Sequence, residues 1–457
     1  MSLTTDTPLD TEPASASAGS IREVFDLAYP VILTTMSTTA MNVVDTAMVG
    51  RLGATEIGAV GFGGIVLWTF FSLFYGTTSG VQTFVSQADG AGEPRACGAW
   101  VWHGLYAVLP AMLVVLAGVG VFLESWVDLM GPSSTLRDES IAYVQARLPG
   151  EIGMAAMMLV ASFFRGVGDT RTPLYAALAG NVVNAVLAYG LIFGELGLPA
   201  WGVTGAGVAT AFGQWSAAAV LIASFARPAI RDRYATRPVR PDAAAIRRFL
   251  RTGTPIGGEW FLGMTSYAVF TGFVARMGDA EMAASQVFVV LLSLSFMQAV
   301  GISIAAATLV GRFLGAGDFD AVERSFRSSL ALGGILGGAI AVLYAVASGP
   351  LLRLFTDDPA VIALGGPLLA MGAVYQLFDA IGIIAEGALR GAGDTRVPFA
   401  AHTVLGWGFF VPVAYTLGVT WGYGLFGAWC GGLVFVIALA ALLLWRFRSG
   451  AWRRIRI

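Results

Sequence analysis

Five carboxylates fall inside long apolar runs of this sequence: Asp45, Glu151, Glu259, Asp379 and Glu386. A carboxylate in such a run is costly, and a wet cavity that takes a cation or a proton is the usual reason to keep one. Glu259 and Asp379 form the strongest pair. Counted inward from the polar ends of their runs, each is about 15 Å deep, near the midplane of a bilayer. Neither has an Arg three or four residues away on its own helix. Two carboxylates and the hydroxyl of Tyr375 make an oxygen-rich set that suits a hard cation such as Na⁺, and two carboxylates can equally share a proton. A local hydrogen-bonded core is the alternative, because Tyr375 and Gln376 lie one turn from Asp379. Glu386 is different, since Arg390 follows it by one turn and a structural ion pair accounts for both. Glu151 follows Pro149-Gly150 toward one end of its run, where water can reach it. Asp45 sits in a polar stretch with Thr38, Thr39 and Asn42 and either serves transport or snorkels to the nearer surface. Asn181 and Asn184 join Asp45 and Gln376 as candidate proton or substrate residues, or they bond between helices without a ligand.

Membrane helices must position these groups. The chain is 56% hydrophobic and only 12% charged, with a mean hydropathy of +0.73, whereas soluble domains carry about 25% charged residues. Apolar stretches of spanning length lie near 22–50, 57–86, 97–123, 139–165, 173–194 and 203–226, then near 249–276, 281–312, 322–348, 361–390, 398–420 and 425–447. Twelve helices result, six in each half. Residues 1–20 read as a disordered polar tail, without the basic start and apolar core of a signal peptide. The expected organisation is that tail, an N-terminal lobe over 21–226, an Arg-rich linker over 227–248, a C-terminal lobe over 249–447 and a basic tail over 448–457.

The halves are copies. Arg165-Gly166-Val167-Gly168-Asp169-Thr170-Arg171-Thr172-Pro173 returns as Arg390-Gly391-Ala392-Gly393-Asp394-Thr395-Arg396-Val397-Pro398, an offset of 225 residues (Arg165 to Arg390). Pro30 and Pro255, Arg51 and Arg276, and Gly90-Ala91-Gly92 and Gly315-Ala316-Gly317 keep the same offset. So long a period marks a duplicated half rather than a solenoid unit. Within each loop Arg meets the negative end of the incoming helix, Gly ends that helix, and Asp or Thr can cap the next one before its Pro. An even number of spans per half makes the repeats parallel, related by an axis along the membrane normal.

Lys is absent, so every Lys-or-Arg position is Arg. Placing the N-terminus inside puts the two repeated loops, the linker and the basic tail on the cytoplasmic side, as the positive-inside rule requires, with Arg137 outside. Both termini are then cytoplasmic and the chain is a multi-pass plasma-membrane protein. A net charge of −2 gives no footprint for nucleic acid, and Cys97 and Cys430 are too separated for a metal or redox motif. His103 and His402 are the only histidines, which supplies zinc sites and catalytic triads poorly.

Over nearly its whole length the chain resembles the multidrug and toxic compound extrusion (MATE) family. The resemblance is carried by Pro30 with Asp45 and Val49-Gly50-Arg51-Leu52-Gly53, by both Arg-Gly-x-Gly-Asp-Thr-Arg-x-Pro loops, and by Tyr375-Gln376-Leu377-Phe378-Asp379 running into Ala388-Leu389-Arg390-Gly391. It implies a two-lobed antiporter, without a cofactor, that expels cationic or amphipathic compounds against inward Na⁺ or H⁺. By the same resemblance Asp45 matches the protonated acid of the N-terminal lobe, Asn184 a fifth-helix Asn, and Asp379 with Tyr375 the tenth-helix cation acid of the NorM-like branch. Two positions depart from the branches: Ala188 stands where the DinF-like branch has Asp, and Gly263 where the NorM-like branch has Glu. Glu259, one turn before Gly263, is the candidate replacement.

Two other classes fit less well. A flippase for a lipid-linked precursor needs Arg in its cleft for phosphates, and Arg is nearly absent from mid-membrane. A membrane enzyme needs a nucleophile and base or a metal-ligand spacing, and none emerges. One chain supplies both lobes, so a monomer suffices for transport of a small organic compound.

Overall fold

The computed structural model describes residues 18–130, 133–455 and 457, and the expected tail over 1–20 lies outside these except for its last three residues. Among the described residues the chain is helical, with no strand. The N-terminal lobe comprises α1 (Ile21–Gly50), α2 (Thr55–Gly90), α3 (Pro94–Met130), α4 (Ser134–Gly166), α5 (Arg171–Phe193) and α6 (Gly202–Phe225). The C-terminal lobe comprises α7 (Ala243–Ala275), α8 (Asp279–Gly315), α9 (Phe319–Val346), α10 (Pro359–Gly391), α11 (Arg396–Thr420) and α12 (Gly424–Arg448). Eleven of these are apolar enough by composition to span a membrane, and α7, whose repeat partner is α1, is the twelfth helix. Large apolar side chains such as Val114, Val121 and Val346 are left exposed, which suits a lipid-facing surface.

Several boundaries differ from those read off hydropathy. Helix α7 begins at Ala243, inside the expected linker, because Asp242 caps it by accepting from the Ala244 N–H at 2.9 Å. The rest of the linker is held against α3: Trp102 donates to the Thr236 carbonyl at 3.0 Å and Tyr106 to the Val239 carbonyl at 2.9 Å. The C-terminal segment folds back as well. Trp452 is buried, stacks on Phe447 and donates to its carbonyl at 2.8 Å.

In the repeated loop the two glycines do different work. Gly168 and Gly393 take φ of +85° and +84°, the left-handed turn that ends α4 and α10. Gly391, with ordinary helical backbone, lets α8 approach: a Cβ there would lie 2.3 Å from the Ala307 carbonyl oxygen. Close backbone approach by small residues is how helices pack without a hydrophobic drive between them.

The same device joins the lobes. Helix α2 crosses α7 at Gly76 and Gly257, and α1 crosses α8 at Ile32 and Gly301, the repeat-related positions. A Cβ on Gly257 would fall 2.0 Å from the Leu73 carbonyl oxygen. Gly257→Val therefore cannot fit without separating the helices, and overpacking of this kind costs about 1–3 kcal/mol. The expected outcome is a lower melting temperature together with faster thiol labelling of a Ser86→Cys probe, whose parent residue is fully buried.

Candidate functional site

Every hydrogen bond between the lobes, among the described residues, lies at the end that carries the repeated loops and the linker. Thr83 of α2 donates to the Arg390 carbonyl at 2.9 Å, and its repeat partner Thr308 of α8 donates to the Arg165 carbonyl at 2.9 Å. Gln87 donates to the Gly391 carbonyl at 2.9 Å, while its repeat partner Arg312 donates to the Val167 carbonyl at 3.2 Å. Arg312 also pairs with Asp89 across the interface at 3.2 Å. The acceptors are carbonyls at the C-terminal ends of α4 and α10, where the helical ladder runs out. The duplicated loops thus close the linker end through two exchanged sets of contacts.

The acids lie inside this closure, and each lobe holds its own set. In the N-terminal lobe the Asn184 amide donates to Asp45 at 3.2 Å and to Thr210 at 3.4 Å, and Asn181 donates to Ser37 at 2.7 Å. Asn184 reaches its place because Gly213 of α6 leaves room: a Cβ there would stand 2.8 Å from the Asn184 Cβ. One oxygen of Asp45 and the amide oxygen of Asn184 are buried without a hydrogen-bond partner. Buried acceptors of this kind are costly unless something donates to them. The equivalent of Asp45 in the other lobe is Phe270, which packs edge-on against Trp429. Glu151 lies deeper than its sequence context suggests, buried between α2 and α4, where the Tyr75 hydroxyl donates to it and Arg147 stands 3.6 Å away.

In the C-terminal lobe the expected pair is split. Glu259 meets neither Asp379 nor Tyr375 through any hydrogen bond or ion pair among the described residues; it meets Arg390 at 3.1 Å and His402 at 3.0 Å. Glu386 completes the group, bonded to Arg390 and lying 3.2 Å from the same His402 nitrogen. Glu259 reaches across to the last two turns of α10, which carry Glu386 and Arg390. Asp379 is two turns, about 10 Å, further along α10. It is half-buried, and the charged groups acting on it are His402 and Glu386. Tyr375 stands one turn beyond, edge-on to Trp429. Gln376 faces another way: it is buried, accepts from Ser295 and donates to the Gly337 carbonyl at 2.5 Å.

Glu259, Glu386 and His402 bring ligand atoms within 4.8 Å of one another, a spacing that can hold a metal ion. The Arg390 guanidinium already lies against both carboxylates and supplies positive charge of the kind a metal would bring. With both carboxylates ionised, Arg390 leaves one negative charge uncompensated, which a proton on His402 balances. The group was invisible in sequence because its members come from α7, α10 and α11, and only Glu386 and Arg390 share a helix. Its one local signal is the four-residue spacing of Glu386 and Arg390. The positions equivalent to Glu259, Glu386 and His402 are Thr34, Ala161 and Ala177, while Arg390 matches Arg165. Duplication supplied the Arg; the acids and the His belong to one lobe alone.

The MatE family model matches the chain twice, over residues 30–190 and 255–416. The chain belongs to the MATE family. The two matches start 225 residues apart (Pro30 to Pro255), the offset of the internal repeat. A protein named multidrug resistance protein NorM from Burkholderia vietnamiensis is 31% identical over 96% of each chain. One named probable multidrug resistance protein NorM from Thermotoga maritima is 29% identical over 95% of this chain and 93% of its own. Among solved structures, a MATE protein in a straight conformation superposes with a TM-score of 0.86 at 19% identity, covering 95% of this chain and 97% of that one. The eukaryotic MATE transporter AtDTX14 gives 0.82 at 19% identity, covering 95% and 96%. At that identity the solved structures fix the fold alone: twelve helices in two repeated lobes. As a MATE protein the chain is a multi-pass membrane transporter, not an enzyme.

Proposed function

We propose that the chain is an efflux antiporter that exports cationic or amphipathic organic compounds in exchange for inward Na⁺ or H⁺, by alternating access between its lobes. The observation that carries this reading is the separation of closure from chemistry. Contacts that are symmetric about the repeat axis hold the linker end shut, while the buried acids lie within the lobes and differ between them. An ion that binds one lobe better in one state shifts the equilibrium between states, and binding equally in both shifts nothing. Relatives named multidrug resistance proteins support export of drug-like compounds. Asp45 with Asn184 and Asn181 forms the N-terminal-lobe proton or substrate site. Asp379 with Tyr375 forms the C-terminal coupling site, and Glu259 acts on it through His402 and Glu386. Against the flippase alternative, Arg147 and Arg390 are both committed to carboxylates.

The test is transport of a fluorescent organic cation by the purified protein in proteoliposomes, with Na⁺ and H⁺ gradients imposed separately. One opposed gradient should accelerate transport, and rates equal to the leak under both gradients would reject the antiporter.

Orientation follows from Arg bias. The linker and both repeated loops face the cytoplasm, so the linker-end closure is the cytoplasmic gate. In intact cells, with Cys97 and Cys430 replaced, an impermeant thiol reagent should label a cysteine at position 137 and spare one at position 237. Labelling at 237 alone reverses the assignment.

A further inference from the structure

Beside the second repeated loop, at the linker end of the C-terminal lobe, lies a cavity of about 680 Å³. Arg248 and Arg251 of α7, Arg396 of α11 and Arg446 of α12 line it. Arg446 is committed to Asp394 at 2.7 Å. The other three have no carboxylate partner among the described residues; Arg248 lies over the Trp100 ring instead. Three uncompensated guanidinium groups therefore converge on one concave site.

The duplication provides an internal comparison, and it differs at three places. The positions equivalent to Arg248 and Arg251 are Glu23 and Asp26 on α1, so the basic lining is not an inheritance of the repeat. In the first loop, Asp169 caps α5 by accepting from the N–H groups of Arg171 and Thr172 at 3.1 and 3.0 Å. In the second loop, Asp394 turns to Arg446, and the start of α11 has no side-chain cap. The N–H groups of Arg396 and Val397 are left as donors at the cavity wall. Helices α6 and α12 match at an offset of 222 residues (Gly202 to Gly424), so the position equivalent to Arg446, which draws Asp394 away, is Ser224.

Each change removes negative charge or adds an N–H donor at one spot. We propose that this cavity binds a phosphate group, presented by an anionic lipid headgroup or by a soluble phosphate. Guanidinium groups meet phosphate oxygens bidentately, and an uncapped helix start adds donors and dipole. The site lies at helix ends, where headgroups lie, and basic pockets between helices at this level suit anionic headgroups. Ile455 and Ile457 form an apolar wall next to the arginines, which matches the junction of a headgroup with its glycerol.

Delipidated protein in detergent is titrated with phosphatidylglycerol, with phosphatidylcholine and with inorganic phosphate, and binding is read by native mass spectrometry and ³¹P line broadening. Phosphatidylglycerol should bind well above phosphatidylcholine, and Arg251→Gln with Arg396→Gln should weaken it roughly tenfold or more, since each removes a charge-assisted contact. Both residues are exposed and unpaired, so the variant keeps its fold. Arg327→Gln, an exposed cation elsewhere at this end, should leave binding unchanged. Inorganic phosphate binding with the same dependence on variants, without phosphatidylglycerol binding, assigns the site to a soluble phosphate. Binding of neither probe, or equal loss in the Arg327 control, overturns the proposal.

Discussion

Asp45→Asn is expected to abolish efflux while leaving folding intact. The amide keeps the size of the side chain and can still bond to Asn184, which sits 3.2 Å away, so packing in the N-terminal lobe survives. What disappears is the ability to carry a charge and to lose it. An ion or substrate that discriminates between two states supplies about 1–3 kcal/mol of coupling, or 5- to 150-fold, and half-buried Asp45 keeps one buried oxygen to which nothing donates. Transport of the organic cation should fall by at least about tenfold, toward the lower end of that range, at every pH, with normal yield and melting temperature. Undiminished efflux across a pH series removes Asp45 from the mechanism.

Asp379→Asn should separate ion coupling from substrate binding. Asp379 is not part of an ion pair among the described residues, so neutralising it leaves no partner unpaired and costs little stability. Efflux should lose its response to the imposed ion gradient by about the same 5- to 150-fold, while the purified variant still binds substrate. Glu259→Gln behaves differently. It leaves Arg390 and His402, which lie 3.1 and 3.0 Å from the lost carboxylate, to share Glu386 alone, and removing one member of a buried ion pair costs up to about 3–5 kcal/mol. Its loss of transport should therefore come with a lower melting temperature. If Asp379→Asn keeps the full ion dependence, the coupling site lies around Asp45 instead.

The scaffold was legible in the sequence because it is duplicated. Hydropathy runs and the fixed offset are local signals, and they yielded twelve helices, parallel lobes and the hairpin chemistry of the loops. The role of those loops in closing one end was not legible. It depends on carbonyls of one lobe meeting Thr83, Gln87, Thr308 and Arg312 of the other, contacts whose partners lie far apart along the chain. The candidate acids were legible one by one, since a carboxylate in an apolar run stands out. Their partners were not: Glu259 finds Arg390 and His402 across three helices, and Gln376 turns into the core rather than toward Asp379. The departure of Asp394 from its copy was hidden too, because the loop sequences are nearly the same and the difference arises from Arg446 on a separate helix.

Alternating access requires closure at the linker end to alternate with closure at the other end. Pulsed electron–electron double resonance measures it directly, with spin labels on repeat-related exposed pairs in a cysteine-free background. Arg95 and Asp320 report the linker end, and Arg51 and Arg276 report the opposite end. With the linker end closed, a short, narrow linker-end distance and a long opposite-end distance are expected. On addition of the substrate and the coupling ion in turn, the two distances should change in opposite directions, and Asp379→Asn should abolish the shift driven by the ion. Distances that move together, or that ignore both ligands, would contradict alternating access in this protein.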